Sequence, residues 1–512
     1  MDEPIIRRRI SLDGTWDFGT DPTASSTPEQ ASTGRTIEVP GAWQAQHADL
    51  ERYDGVAWYR RSIDVGPRES GMAPESAILH LGAVDYRCDV WINGQPAGGH
   101  VGGYTPVELE VGHLLAAGAN TITVRVEDYA YNWIETDRWP DAVHRSPATD
   151  LLHGKQSWYL EISGIWGHAW LDLAADPNIA SVHVTPDIRA SSARVRVVIR
   201  GVSERGAIDT SGATRLSVSI APPGGDPVAT REVPVTGPEA TFELPLPQAR
   251  LWEPDDPFLY EAVATITRDG ELLDGLRTRF GMREIRADGG RLWLNGRPLY
   301  LRAALDQDFY PETIYTPPSD DYLRNQFALA KEMGLNCLRA HIKPVDPRYL
   351  DLCDEIGLLV WAELPSWRTL WPKERLDSRV SVPLELQQEV ERTFDEMVAR
   401  DFNHPSIIIW TLVNEDWGTQ LIFSESDRAW LGRFYERAKR IDPTRLVVDN
   451  SPCFSGHGPN FHVQSDLDDF HVYAAMPERY RNFQRWVEDF SLRPTWTYST
   501  FGDAQRRGDE PL

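Results

Sequence analysis

Asn403-His404-Pro405-Ser406-Ile407-Ile408-Ile409-Trp410-Thr411-Leu412-Val413-Asn414-Glu415 is the stretch that decides the fold. Ile407 to Trp410 is an unbroken apolar run, which predicts a strand buried on both faces. The run leads into an amide and a carboxylate. A buried strand that carries Asn and Glu to its C-terminal end is how a (β/α)8 barrel assembles a catalytic site, because strand ends and the loops after them form the mouth. From about residue 286 the sequence alternates strand and helix, the pattern of a parallel sheet. The predicted strands are Leu299-Tyr300-Leu301, Asn336-Cys337-Leu338-Arg339, Leu358-Leu359-Val360-Trp361, the Ile407 run, Leu446-Val447-Val448 and Phe470-His471-Val472-Tyr473. Helices are predicted at about 320–333, between Ser319 and Gly334, and from Pro347 to Gly357. Further helices are predicted at about 384–402, 426–440 and 477–490. Six strands fall short of the eight that close a barrel.

Upstream the pattern is all-β. Ile78-Leu79-His80-Leu81, Asp89-Val90-Trp91-Ile92 and Thr121-Ile122-Thr123-Val124-Arg125-Val126 read as short strands, and Asn93-Gly94 is a hairpin turn. A second β segment runs from about 177 to 285. Val195-Arg196-Val197-Val198-Ile199 and Leu216-Ser217-Val218-Ser219-Ile220 are its clearest strands, and its size suits a sandwich. The expected division is 1–176, 177–285 and 286–512.

Length and composition fit that division. The chain has 512 residues, 41% hydrophobic and 10% aromatic, which is a globular composition with room for several domains. A net charge of −25 argues against nucleic acid and anionic membrane as partners, since both need a basic footprint. The same charge repels anionic ligands at long range, so a uronide substrate would need a local Arg or Lys. Nineteen Trp suit a cleft that stacks on the C–H faces of sugars. Cys88, Cys337, Cys353 and Cys453 show no CxxC spacing, which points away from a metal cluster or a disulfide framework. Met1-Asp2-Glu3-Pro4 lacks signal-peptide features, and no run of about 18 apolar residues occurs, so a cytoplasmic location is expected.

Asn414-Glu415 and its strand resemble the acid/base signature of glycoside hydrolase family 2, which includes β-galactosidases, β-glucuronidases and β-mannosidases. Thr411 departs from the family's usual Gly or Ser and is expected to affect strand packing more than chemistry. Leu12-Asp13-Gly14-Thr15-Trp16, Trp58-Tyr59-Arg60-Arg61, Val90-Trp91-Ile92-Asn93-Gly94, Gly154-Lys155-Gln156 and Ser163-Gly164-Ile165-Trp166 resemble the family's jelly-roll, galactose-binding-like domain. Leu251-Trp252-Glu253-Pro254 and Phe258-Leu259-Tyr260 resemble the end of its immunoglobulin-like β-sandwich. The fold so implied is multidomain, β plus α/β, ending in a TIM barrel that lacks its last strands.

The resemblance implies hydrolysis of β-linked carbohydrate, with Glu415 as general acid/base and Asn414 on the sugar's 2-hydroxyl. Arg339 would support a nucleophile, and His341, His471 and Tyr473 would lie near the sugar. Each has a plainer reading: an ion pair at the barrel mouth for Arg339, core packing for His471 and Tyr473. Asp306, beyond the first strand, is a further candidate for a sugar hydroxyl. Glu363 and Asp449 end strands and are runner-up carboxylates. Trp367, Trp371 and Trp417 follow strands on the mouth side and could stack on sugar or simply fill the core. No cofactor or metal is implied.

Retaining glycosidases need a second carboxylate, about 5–5.5 Å from the first. The family carries it in a Ser/Thr-Glu-Phe/Tyr-Gly context, and here the comparable stretch is Ser499-Thr500-Phe501-Gly502. Either this is a degenerate seventh strand whose nucleophile became Thr500, or it is loop and the seventh strand begins at Pro511-Leu512. The weak apolar character of Thr495-Trp496-Thr497-Tyr498-Ser499 favours the loop, and with it a chain that stops just before its nucleophile. On that expectation the chain alone does not complete double displacement, and its open barrel edges favour association, so a homo-oligomer is compatible with the sequence. The alternative is a carbohydrate-binding relative that has lost the chemistry.

Overall fold

A computed structural model describes residues 6–66 except 32, 76–128, 151–202 except 157 and 158, 214–367, 381–452, 462–469 and 471, with short pieces elsewhere. Thr500, Tyr473, Trp371, Cys453 and most of the predicted 477–490 helix lie outside the described residues.

The first region packs a six-stranded sheet, centred on Gly55–Asp64 and Ala119–Asp128, against a four-stranded sheet built on Ser76–Leu81 and Ala169–Ala174. Alternate residues of these strands, among them Phe18, Tyr59, Leu79, Val90, Val124 and Leu171, meet in one buried core. Asn93 and Gly94 take φ of 53° and 78° and turn Arg87–Ile92 into Gln95–Val101. The second region packs a sheet containing Thr214–Ala221, Tyr260–Arg268 and Glu271–Phe280 against a three-stranded sheet of Asn178–Asp187, Ser192–Arg200 and Glu239–Pro245. The chain's start joins this second unit: Glu3–Pro4 pairs with Glu271–Phe280, and Arg7 forks onto Asp274.

The third region is a parallel sheet whose strands follow chain order. Its elements are β1 (Ala303–Asp306), α1 (Asp320–Glu332), β2 (Cys337–Ala340), α2 (Pro347–Ile356), β3 (Leu359–Glu363), α3 (Leu384–Asp401), β4 (Ile407–Asn414), α4 (Glu425–Ile441) and β5 (Leu446–Ser451). Local chemistry sets the boundaries. Ser319 caps α1 by accepting from the Tyr322 amide, Asp346 caps α2 by accepting from Arg348 N, and Gly357 ends α2 at φ 75°. Leu338, Val360, Trp410 and Val447 pack outward against Phe327, Tyr349, Phe394 and Phe434 of the helices. All eight residues of β4 are buried. Among the described helices none is long and apolar enough to cross a membrane.

One strand differs from expectation. Leu299-Tyr300-Leu301 is not the first barrel strand. Leu299 ends an antiparallel hairpin with Arg291–Leu294, and Tyr300 is 79% exposed. Asn295 and Gly296, with φ of 52° and 75°, make a tight hairpin turn that captures the apolar run. The barrel strand begins at Ala303, where it pairs with Cys337.

Candidate active site

The ends of β2, β3, β4 and β5 converge. At the end of β4 the chain turns sharply, with Glu415 and Asp416 both left-handed at φ 54° and 58°. Three hydrogen bonds hold this strained turn: Glu415 N to Ser451 O at 2.8 Å, Asp416 N to Asn450 Oδ1 at 2.9 Å and Trp417 N to Asn414 O at 2.9 Å. Glu415 is thereby fixed at the mouth. Its Oε1 lies 2.5 Å from His471 Nδ1, and His471 Nε2 lies 2.9 Å from Ser451 Oγ. The Ser451 hydroxyl also donates to Asp469 and accepts from Arg339 Nη2 at 2.9 Å.

Arg339 is committed on several sides. Its Nε donates to Glu363, its Nη2 reaches Asn414 Oδ1 at 3.3 Å, and its guanidinium stacks 4.8 Å over the Trp361 ring. Trp361 in turn donates to Thr411 Oγ1 at 2.6 Å, across the β3–β4 pairing. Thr411 therefore supports the tryptophan that carries Arg339. The Asn414 amide nitrogen is buried and has no hydrogen-bond partner among the described residues, so a donor sits open beside Glu415.

Glu363 is fully buried at the end of β3. One oxygen is held by Arg339, and the other accepts from Ile342 N at 2.9 Å and lies 2.8 Å from His341 Nδ1. Burial alone would raise its pKa, but the charges of Arg339 and His341 and these hydrogen bonds outweigh it and hold the carboxyl at about 2. Burial lowers the pKa of His341, against the pull of Glu363. Burial pushes Asp416 up to about 7, despite hydrogen bonds from Thr419 and Leu421 N.

Several candidates lie elsewhere or are already engaged. Asp306 faces the helices: its Oδ2 accepts from Tyr349 Oη at 2.9 Å and Gln326 Nε2 at 3.1 Å, on α2 and α1. Asp449 is buried behind β5, where it accepts from Val463 N and Gln464 N and pairs with His462. Trp367 is core, edge-on to Trp430, with its Nε1 donating to Gly418 O at 3.2 Å. The residues that sequence reasoning left out of the site are Ser451, Asp469 and Lys155. Ser451 had a weak signal, a polar Asp-Asn-Ser tail on an apolar strand. Lys155 had none, since it belongs to the first domain. Among the described residues no group of three or more His, Cys, Asp or Glu side chains is arranged to hold a metal ion.

This constellation of carboxylate, amide, arginine and histidine at the C-terminal mouth of a parallel sheet is that of a barrel enzyme. Three family descriptions match in order: "Glycosyl hydrolases family 2, sugar binding domain" over 10–169, "Glycosyl hydrolases family 2" over 178–283, and "Glycosyl hydrolases family 2, TIM barrel domain" over 285–496. The chain belongs to glycoside hydrolase family 2. A β-galactosidase of Thermoanaerobacter pseudethanolicus is 26% identical over 402 residues, 77% of this chain and 48% of that protein. The chain spans about half the length of such relatives. The crystal structure of Ruminococcus gnavus β-glucuronidase superposes with a TM-score of 0.78 at 22% identity, covering 97% of this chain and 83% of that one. A β-galacturonidase of Eisenbergiella tayi bound to galacturonate gives 0.71 at 24% identity, covering 95% and 79%.

Proposed function

We propose that this protein hydrolyses terminal β-glycosidic bonds, with Glu415 as the general acid/base. The single observation that carries the reading is the contrast at the mouth: Glu363 is fully buried and held by Arg339, His341 and the Ile342 amide, whereas Glu415 meets His471 beside the Asn414 amide donor. A general acid must exchange its proton, and a carboxyl clamped by guanidinium cannot. Asn414 Nδ2 would donate to the sugar's 2-hydroxyl, a contact that strengthens as the oxocarbenium-like transition state forms. Arg339 would position Asn414 and lend positive charge to the second carboxylate. That carboxylate would sit on a seventh barrel strand, and the reaction would retain anomeric configuration.

The experiment is an assay of nitrophenyl β-glycosides with the protein and with its Glu415→Gln variant. The protein should turn over with retention, and Glu415→Gln should lower its rate on unactivated glycosides by roughly 10²–10⁴-fold. Glu415-independent turnover would overturn the assignment.

A further inference from the structure

Ser451 ends β5 at the hub of the mouth, and its hydroxyl offers one hydrogen and two lone pairs. It donates the hydrogen to Asp469, and Arg339 Nη2 and His471 Nε2 each lie 2.9 Å from its Oγ. Asp469 is placed to accept: its carboxyl oxygens face Arg339 Nη1 at 3.8 Å and His462 Nε2 at 3.7 Å. His462 is anchored there by Asp449 at 2.9 Å and by Asp469 O at 2.9 Å. Burial works against a charge on His462, but Asp449, Asp469 and Asp468 outweigh it and push its pKa up to about 9. Arg339 can only donate, so it fills one lone pair of Ser451 Oγ. With the hydroxyl hydrogen on Asp469, the other lone pair must take a hydrogen from His471 Nε2. The second ring nitrogen, Nδ1, then faces Glu415 Oε1 at 2.5 Å, a separation that requires a hydrogen between them. His471 N donates to Pro452 O at 2.7 Å, so the ring is held by the backbone next to Ser451.

We propose that Ser451 and Asp469 are positioning residues that fix the hydrogen of His471 on Nε2, so that Nδ1 and Glu415 Oε1 hold one proton between them. The use made of that proton rests on the glycosidase reading above. A histidine whose Nε2 is a fixed donor exchanges hydrogen only through Nδ1. As the glycosidic bond breaks, its electron pair leaves with the oxygen and the sugar passes to the second carboxylate. The shared proton goes through Glu415 to that oxygen. Nδ1 and Oε1 are then two acceptors face to face, and this repulsion favours recovery of a proton. The water of the second step supplies it: its oxygen bonds to the sugar carbon and its proton returns to the pair. The opposite tautomer would point a permanent Nδ1–H at Glu415. That donor would favour the carboxylate and withhold the proton that Glu415 must give.

The test is nitrogen NMR of the protein isotope-labelled at histidine, at neutral pH, with His471→Gln used to assign the signal. The parent should show hydrogen on Nε2. Asp469→Asn is nearly isosteric and offers Ser451 Oγ an amide hydrogen. The hydroxyl can then turn to His471 Nε2, and the ring should switch to hydrogen on Nδ1. Ser451→Ala should leave both tautomers populated. A bare Nε2 in the parent, or a ring unchanged in both variants, would overturn the inference. In kinetics on aryl β-glycosides, Asp469→Asn should lose about tenfold more kcat/KM with poor leaving groups than with dinitrophenol. Equal losses would overturn the part given to the shared proton. The expected tautomers in a protein without Glu415-dependent turnover would uphold the placement of hydrogens and overturn the glycosidase reading.

Discussion

Two neighbouring strands, β3 and β4, each deliver a glutamate to the same mouth, and their surroundings differ. Glu363 leaves β3 into a cage of Arg339, His341 and a backbone amide, with no exposed surface. Glu415 leaves β4 through two left-handed residues that turn it out of the sheet toward His471. One carboxylate is an anion built into the structure. The other is turned out of the sheet by a left-handed backbone and meets His471. The difference teaches that rank among acidic residues at a barrel mouth follows from what holds them, and strand position alone does not give it.

The largest test of this contrast is stability. Glu363→Gln should cost about 3–5 kcal/mol, because it leaves Arg339 buried with its main partner gone. Glu415→Gln should stay within about 1 kcal/mol. Denaturant unfolding of both variants measures this, and equal losses would erase the distinction.

Acid titration sharpens the same point. Glu363 falls from an ordinary 4.5 to about 2 in the folded protein. The unfolded chain therefore takes up the proton first. The stabilisation is complete above pH 4.5 and is lost as pH falls through 4.5 toward 2, a change of about 3 kcal/mol. Unfolding free energy should drop across this window in the parent and much less in Glu363→Gln.

A smaller effect is expected one layer away. Thr411→Val removes the acceptor of the Trp361 indole N–H and should cost about 1–3 kcal/mol. It should also loosen Arg339, visible as weaker sugar binding. Loss of stability with unchanged binding would show that Trp361 does not carry Arg339. Gly154→Ala should cost more than the roughly 1 kcal/mol of its positive φ, because its Cβ would stand 2.5 Å from the backbone oxygen of Ile342. A variant as stable as the parent would show that the segment around Gly154 is not held as tightly as its contacts indicate.

Much of this was legible in the sequence, for definable reasons. The Ile407 run predicts a doubly buried strand because only that environment leaves no polar residue in it, and the structure shows such a strand. Ser319, Pro347, Gly334 and Gly357 mark helix ends because capping and left-handed closure are local chemistry. The first barrel strand was misplaced because Leu299-Tyr300-Leu301 is apolar in either setting, and the choice was made by the Asn295-Gly296 turn. The engagement of Asp306 with Tyr349 and Gln326 was not legible, because a four-residue strand does not reveal which face meets the helices. The approach of Lys155 to Trp417 was out of reach: it depends on a contact between domains, and no periodicity reports that.

The central claim is that Glu415 gives its proton to the leaving group. It is tested most directly by a series of aryl β-glycosides of graded leaving-group acidity, assayed with the protein and with its Glu415→Gln variant. Poor leaving groups should lose about 10³-fold or more in kcat/KM, and dinitrophenyl glycosides should lose little, because they depart without help. Equal losses across the series would contradict the claim and place Glu415 in a structural role.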